Sequence, residues 1–276
     1  MPRNIQKIWE NFPTDVKQKI QLPLNAPSAY VKQISKNSQH IEVIIDLTDE
    51  QHPLTAQGWN LIQELIIRSK ETQGKKITTL RLKGFDFSKA PPPIFPLPNL
   101  THFEITYSQL QSVPSTWNNL FPKLKILSLQ NNSITSLSNS FFQSSKNLTF
   151  VDISHNQINQ ISQNFGETWN KLKEINLANN QLHHIPQKFG QNWTSVINIS
   201  LSQNPLMSLP NDFGQKWSRL RNLFLFNTQI QAWPPGVGSN WSILNHLVIY
   251  NTPLAGSSAH IEFFKKTWPH AVIFTS

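Results

Sequence analysis

The sequence predicts a solenoid, in which similar turns of chain stack side by side, and three observations predict it. A frame of the form Leu-x-x-Leu-x-Leu-x-x-Asn-x-Leu recurs with one step of 23 residues and steps of 24 thereafter. Inside each unit the Leu-x-Leu segment alternates with period two, which is typical of a short strand with one buried face. A second motif, (Leu/Ile)-Pro-x-x-Phe-Gly-x-x-Trp, occupies the return half of several units. The first position of the frame falls at Ile77, Leu100, Leu124, Leu148, Leu172, Val196, Leu220, Leu244 and Trp268.

Each unit is expected to add one strand to a parallel sheet, because units that stack in the same orientation place equivalent segments side by side. Apolar pairs such as Leu127 and Leu129 would then point into the solenoid. The ninth position of the frame is polar although its surroundings are apolar, and an asparagine there could bond the backbone of adjacent turns through its amide donors and its acceptor. This ladder is expected at Asn132, Asn156, Asn180 and Asn204.

The return half of the units predicts aromatic columns on the convex side. One repeat position is phenylalanine and another is tryptophan, so each ring would stack on its counterpart one turn along. Proline and glycine in the same segments favour irregular or short 3₁₀ turns over long helices. The columns comprise Phe141, Phe165, Phe189 and Phe213, and Trp169, Trp193, Trp217 and Trp241.

These frame and motif residues, over 77–273, resemble the leucine-rich repeat family in its typical 24-residue form. The resemblance implies an α/β horseshoe with a parallel sheet of about nine repeat strands on the concave face, plus an N-terminal cap. It also implies a role in binding proteins rather than in catalysis. The Phe-Gly-x-x-Trp variant, the Asn- and Gln-rich composition and the lack of cysteine are similar to leucine-rich repeat effectors of intracellular bacterial pathogens, which would place the protein in the host cell cytoplasm.

Three regions are expected along the chain. Residues 77–276 form the repeat domain and end in a terminal strand. Residues 41–76 are predicted as a strand-and-helix cap, with a strand at 41–47 and an amphipathic helix at 55–72, because a solenoid must cover the core of its first turn. Residues 1–40 are predicted as a helical segment. The stretch 12–20 resembles the opening of an F-box, which would make the protein a substrate adaptor of a ubiquitin ligase; a simple helical cap is the alternative, since Pro23 and Pro27 interrupt the run.

Composition excludes several classes of site and partner. The chain has no cysteine, so disulfides, thiolate nucleophiles and cysteine-based zinc sites are impossible. No apolar run approaches the length of a membrane span, and the first residues lack a secretory h-region, so a cytoplasmic location is expected. The formal charge is +9, but the basic residues are predicted along one edge of the solenoid rather than in a groove. We therefore expect no nucleic-acid partner and no cofactor.

Catalysis is not expected, although two polar clusters invite the question. Asp152, Ser154 and His155 share one strand, but neighbouring residues on a strand point to opposite faces and no oxyanion donor is indicated. His183 and His184 are adjacent on a turn without a third ligand, so a metal site is not expected. The sequence therefore predicts a protein that is not an enzyme.

The predicted outward columns of the sheet change from polar to apolar in the last three turns. An exposed apolar surface of this kind is typical of a partner-binding site, and a cover by another part of the chain is the alternative. The predicted site comprises Phe224, Phe226, Val248, Tyr250, Val272 and Phe274, with Glu104, Tyr107, Asp152 and His155 expected to tune specificity nearer the other end.

The segment 271–275 is predicted to be the last strand, with no later strand to pair with it. An open strand edge can accept an extended partner segment or a second copy of the same chain. A homodimer through this edge is therefore a further expectation.

Overall fold

The computed structural model describes residues 33–37, 40–46, 77–92 and 94–276. Its main feature is an eleven-stranded sheet with the order β1-β2-β3-β4-β5-β7-β9-β10-β11-β12-β13. The first pair is antiparallel, and every later pair is parallel. The strands are β1 Gln33–Asn37, β2 His40–Asp46, β3 Ile77–Lys83, β4 His102–Thr106, β5 Ile126–Ser128, β7 Phe150–Asp152, β9 Glu174–Asn176, β10 Asn198–Ser200, β11 Asn222–Phe224, β12 His246–Val248 and β13 Val272–Phe274.

Strands β3 to β13 within this sheet are the nine predicted repeat strands, so the predicted solenoid is confirmed. A second sheet of two short parallel strands, β6 Ser136–Leu137 and β8 Gln160–Ile161, lies outside the main sheet. A 3₁₀ turn spans Ser115–Asn119 and another spans Pro253–Gly256. Helix α1, at Ser258–Thr267, is in the last turn.

Two described strands, β1 and β2, can be compared with the predictions for the N-terminal region. The strand predicted at 41–47 is present as β2, which pairs in parallel with β3. Residues 33–37 were predicted as part of a helical segment, and that prediction is wrong for them, because they form β1 in antiparallel pairing with β2. The predicted helix at 55–72 and the F-box-like stretch at 12–20 lie outside the described residues.

The asparagine ladder holds neighbouring turns together as predicted. Asn180 is buried, and its Nδ2 donates to Ile153 O at 3.1 Å and to Leu177 O at 3.0 Å, while its Oδ1 accepts from Ile158 N at 3.0 Å. One side chain thus bonds the backbone of its own turn and of the turn before it. Equivalent bonds are made by Asn132, Asn156 and Asn204.

The Phe-Gly-x-x-Trp motif closes the convex side by linking each turn to the next. Trp193 Nε1 donates to Gly166 O at 2.9 Å, and Trp217 Nε1 donates to Gly190 O at 2.8 Å. Gly190 has φ +68°, and a Cβ there would lie 2.6 Å from Trp217 Cζ2. Only glycine meets both requirements, since other residues pay for positive φ and would also strike the incoming indole.

The aromatic columns stack as predicted. Trp193 lies on Trp217 with ring centroids 6.2 Å apart, and Phe165 lies on Phe189 at 6.3 Å, in both cases nearly parallel. Within one turn the two columns meet edge to face, as Phe189 does with Trp193 at 4.8 Å. The buried tryptophans combine a large apolar area with a satisfied N–H, which is the arrangement that buried indoles require.

The last turn departs from the 24-residue frame. Trp268, predicted at the first frame position, instead joins the tryptophan column, because it stacks on Trp241 at 5.6 Å and donates to Gly238 O at 3.1 Å. Val248 pairs with Phe274, 26 residues later. The extra length follows from α1, since a helix advances about 1.5 Å per residue against about 3.3 Å in a strand.

Helix α1 forms because its sequence supplies a cap and an apolar stripe. Ser257 accepts a bond from His260 N at the N-terminus. Ile261, Phe264 and Trp268 are spaced on one face of the helix, and Phe264 and Trp268 are buried. The helix thus replaces the irregular turn of earlier repeats and closes the end of the core.

Candidate protein-binding surface

An aromatic pair lies at the C-terminal end of the concave face. Phe226 follows β11 and Tyr250 follows β12, and their rings stack with centroids 4.6 Å apart and planes 12° apart. Both side chains are half-buried, as is Phe224 one column away. Stacking and partial burial fix the rings in place, so they present a rigid apolar surface.

The last strand extends this surface to the edge of the sheet. Val272 is 48% exposed and Phe274 is 42% exposed, which makes them the most open of the six residues predicted at this end of the face. Phe274 also lies beside His246, with ring centroids 6.0 Å apart. We call Phe224, Phe226, Tyr250, Val272 and Phe274 the aromatic surface.

Two predictions about this surface are wrong. Val248 was expected to be open, but it is 8% exposed. The 24-residue frame also placed Val272 beside Val248 and Phe274 beside Tyr250, whereas the observed partners are His246 for Val272 and Val248 for Phe274. Both errors change the shape of the site. Val248 is buried beside Phe274, so it does not add to the exposed apolar area.

The N-terminal end of the concave face has a different character. Arg81 Nε donates to Glu104 Oε1 at 2.9 Å, so this predicted site residue is part of an ion pair between β3 and β4. Tyr107 is 53% exposed, and the Lys83 ammonium lies 5.4 Å from the centre of its ring. A cation this close to an aromatic face is attracted to it.

Tyr107 belongs to a column whose backbone is left-handed, which the sequence analysis did not foresee. Its φ is +53°, and φ lies between +54° and +56° at the equivalent position of each later turn. Asparagine tolerates this conformation better than most residues, whereas a bulky aromatic residue there is uncommon. The frequent asparagines at this position were the available signal. The later members are Asn131, His155, Asn179, Gln203, Asn227 and Asn251.

Asp152 and His155 are bonded separately and do not form a catalytic relay. Asp152 Oδ1 accepts from Ser154 N at 2.9 Å and from Ser154 Oγ at 2.6 Å. His155 Nδ1 instead lies 2.6 Å from Asn179 Nδ2, one turn along. Each of the two therefore has a local structural partner in addition to its predicted role in specificity.

His183 and His184 line an open groove of about 680 Å³ that also runs past β6 and β8. Among the described residues, no group of three His, Cys, Asp or Glu side chains is placed to hold a metal ion. Over the same residues, no helix is both long and apolar enough to cross a membrane.

Parallel strands in register, an asparagine ladder between turns and a repeated convex closure define a solenoid built from one kind of unit. The Leucine rich repeat family model matches residues 122–166 and 170–230. These residues are leucine-rich repeats, and the strands on either side of them continue the same leucine-rich repeat solenoid. Domains of this family are generally protein-interaction modules.

Similarity to one solved structure supports the fold. An internalin of Listeria monocytogenes is similar with a TM-score of 0.56 and 17% identity, covering 72% of this chain and 61% of that one. A leucine-rich repeat protein of Leptospira interrogans gives a TM-score of 0.46 and 22% identity, covering 72% of this chain and 60% of that one. The chain thus spans about 60% of the length of either structure. No curated protein matches the sequence.

Proposed function

We propose that this protein is a non-enzymatic module that binds a protein partner through the aromatic surface at the C-terminal end of its concave face. The stacked pair of Phe226 and Tyr250, 4.6 Å apart, is the observation that carries the proposal. Aromatic residues held rigid beside exposed apolar neighbours are the usual anchors of protein interfaces.

The rest of the concave face supports a local site rather than contact along its whole length. The fifth position of the repeat frame forms one column across the concave face. On successive strands this column contains Ser128, Asp152, Asn176 and Ser200, and then Phe224. The first four are polar, although Ser128 is buried. The change at Phe224 therefore marks where binding energy from apolar burial is available.

Affinity capture with the intact chain and with the Phe226→Ser, Tyr250→Ser double variant tests the proposal. We expect the double variant to lose the captured protein, because both anchors are removed. The matched control is Gln130→Ser. Gln130 occupies the same frame position as Phe226 and Tyr250 but lies on the polar part of the face, so this variant should capture the partner as the intact chain does. Capture that survives loss of both rings would overturn the proposal, provided that thermal melting shows each variant folded.

The predicted location in the cytoplasm, or in a host cell if the protein is a secreted bacterial effector, stays a prediction. The lack of cysteine supports it, since reducing compartments do not favour disulfide-bonded caps. Cell fractionation of the native source, with antibodies to the chain, would test it; recovery in the oxidising extracellular fraction alone would contradict it.

A further inference from the structure

Within the part of the chain that the structure describes, strand β13 pairs with another strand on one side only. Val272 N donates to Asn245 O at 2.7 Å, and Ile249 N donates to Phe274 O at 2.9 Å. Val272 and Phe274 therefore direct their peptide groups toward β12. No described strand pairs with the opposite side of β13. Because peptide groups alternate along a strand, the N–H and C=O of Ile273 point away from β12, as do those of Thr275.

Both faces of this edge strand carry apolar side chains. Val272 and Phe274 are exposed on the concave face, while Ile273 is half-buried against the core on the other. Helix α1 lies next to β13, and its Phe263 is 42% exposed. An added strand with alternating apolar residues would therefore find apolar contacts above and below its own plane.

The edge lacks the features that usually protect such strands. Native edge strands commonly carry a charge, a proline or a bulge that prevents pairing with another chain. The three residues of β13 are Val-Ile-Phe and pair with β12 without a break in register. Among the described residues, neither the backbone nor the side chains of β13 prevent pairing on this side.

We propose that β13 binds an extended segment of the partner protein as an added strand. This partner segment has alternating apolar side chains and is flanked by acidic residues. This inference rests on the proposed function and specifies the form of the partner that the aromatic surface takes. The acidic flanks follow from charge. Lys265 and Lys266 lie in the last turn of α1, the helix that contacts β13, and Lys and Arg exceed Asp and Glu by 24 to 15 in the chain.

A second copy of this chain fits the edge less well than such a segment. Each copy has a formal charge of +9, so two copies would repel as they approach. Two three-residue strands would also share only a short ladder. The partner segment, by contrast, is not limited to three residues.

The test uses the full chain and a phage-displayed library of random nine-residue peptides as the probe. Enriched peptides are synthesised, and their Kd values are measured by fluorescence anisotropy against Ile273→Pro and Ile273→Ala. The two variants lose the same side chain, but proline alone removes the outward N–H. It leaves in place the bonds from Val272 N to Asn245 O and from Ile249 N to Phe274 O. Thr275→Pro and Thr275→Ala form a second pair if the first proline variant fails to fold.

We expect enriched sequences that alternate apolar residues between acidic flanks, with Kd about fivefold to tenfold weaker for the proline variant than for the alanine variant. Equal Kd values, apolar residues at helical spacing, or no enriched peptide would overturn the inference. Sedimentation equilibrium is run alongside, and a dimer lost only in the proline variant would identify a second copy as the occupant, against the proposal.

The two proposals fail separately. If the intact chain captures no protein that depends on Phe226 and Tyr250, the proposed function fails. If capture depends on those rings but is equal for Ile273→Pro and Ile273→Ala, only the strand-addition inference fails.

Discussion

Phe226 and Tyr250 stack across one step of the solenoid, with ring centroids 4.6 Å apart and planes 12° from parallel. This contact joins residues that are 24 positions apart in sequence and lie on the face away from the core. Since both rings are half-buried, the pair contributes to stability as well as to the surface that a partner would meet.

A double-mutant cycle with Phe226→Ala and Tyr250→Ala measures that contribution. We expect an interaction energy of about 0.5 to 1.5 kcal/mol from the ring contact, measured by urea denaturation. The matched cycle of Phe226→Ala with His155→Ala should be additive within about 0.5 kcal/mol, because these sites are several turns apart. Additivity in both cycles would show that the rings do not stabilise one another.

Gly190→Ala should be much more damaging than Gly236→Ala, although both glycines have positive φ. A Cβ at residue 190 would lie 2.6 Å from Trp217 Cζ2, whereas at residue 236 nothing lies within 4 Å. The backbone term is about 1 to 2 kcal/mol at either site, and overpacking adds about 1 to 3 kcal/mol at residue 190 alone. Equal losses in urea denaturation would mean that the indole has room to move.

Asn180→Ala should cost about 2 to 4 kcal/mol, because it leaves several buried backbone groups without a partner. Asn180→Thr should cost less. Thr228 occupies the equivalent position naturally, and its Oγ1 donates to Leu225 O at 2.8 Å. Free energies of unfolding for the two variants check the order, and a threonine variant no better than alanine would contradict it.

Tyr107→Asn should leave the free energy of unfolding unchanged or raise it by about 0.5 to 1 kcal/mol. Asparagine accommodates the φ of +53° better than tyrosine does, and this gain offsets the lost contact with Lys83. His155→Asn at the equivalent position is the control and should change stability little. A clear loss of stability in Tyr107→Asn alone would show that the tyrosine is a structural residue.

The sequence predicts the interior of this fold better than its ends. Core positions, the asparagine ladder and the aromatic columns repeat every 24 residues, so each turn supports the prediction of the next. The last turn breaks this support, because α1 replaces an irregular segment and shifts Phe274 beside Val248. Strand β1 was missed for a related reason, as it pairs in antiparallel outside the frame.

The sequence predicted which residues form the candidate surface better than it predicted their exposure and their contacts. Alternation shows that Val248 points outward, but it does not show that neighbouring side chains leave it 8% exposed. Exposure depends on how large the surrounding residues are and how they lie, which a repeat frame does not contain. Stacking of Phe226 on Tyr250 is likewise a property of two rotamers rather than of the register.

The indole bonds give the solenoid a direction. Trp193, Trp217 and Trp241 each bond the glycine carbonyl of the turn before their own, as Trp217 does for Gly190. The convex side of these turns is therefore closed by residues that follow them in the chain. Removing turns from the C-terminal end would leave the last glycine carbonyl without its indole donor and a cavity where that indole had packed. Removing turns from the N-terminal end would instead leave an indole N–H without its acceptor. Shortened or lengthened versions of this protein should therefore be cut so that Gly166, Gly190 and Gly214 keep the tryptophan 27 residues later, and Gly238 keeps Trp268, 30 residues later.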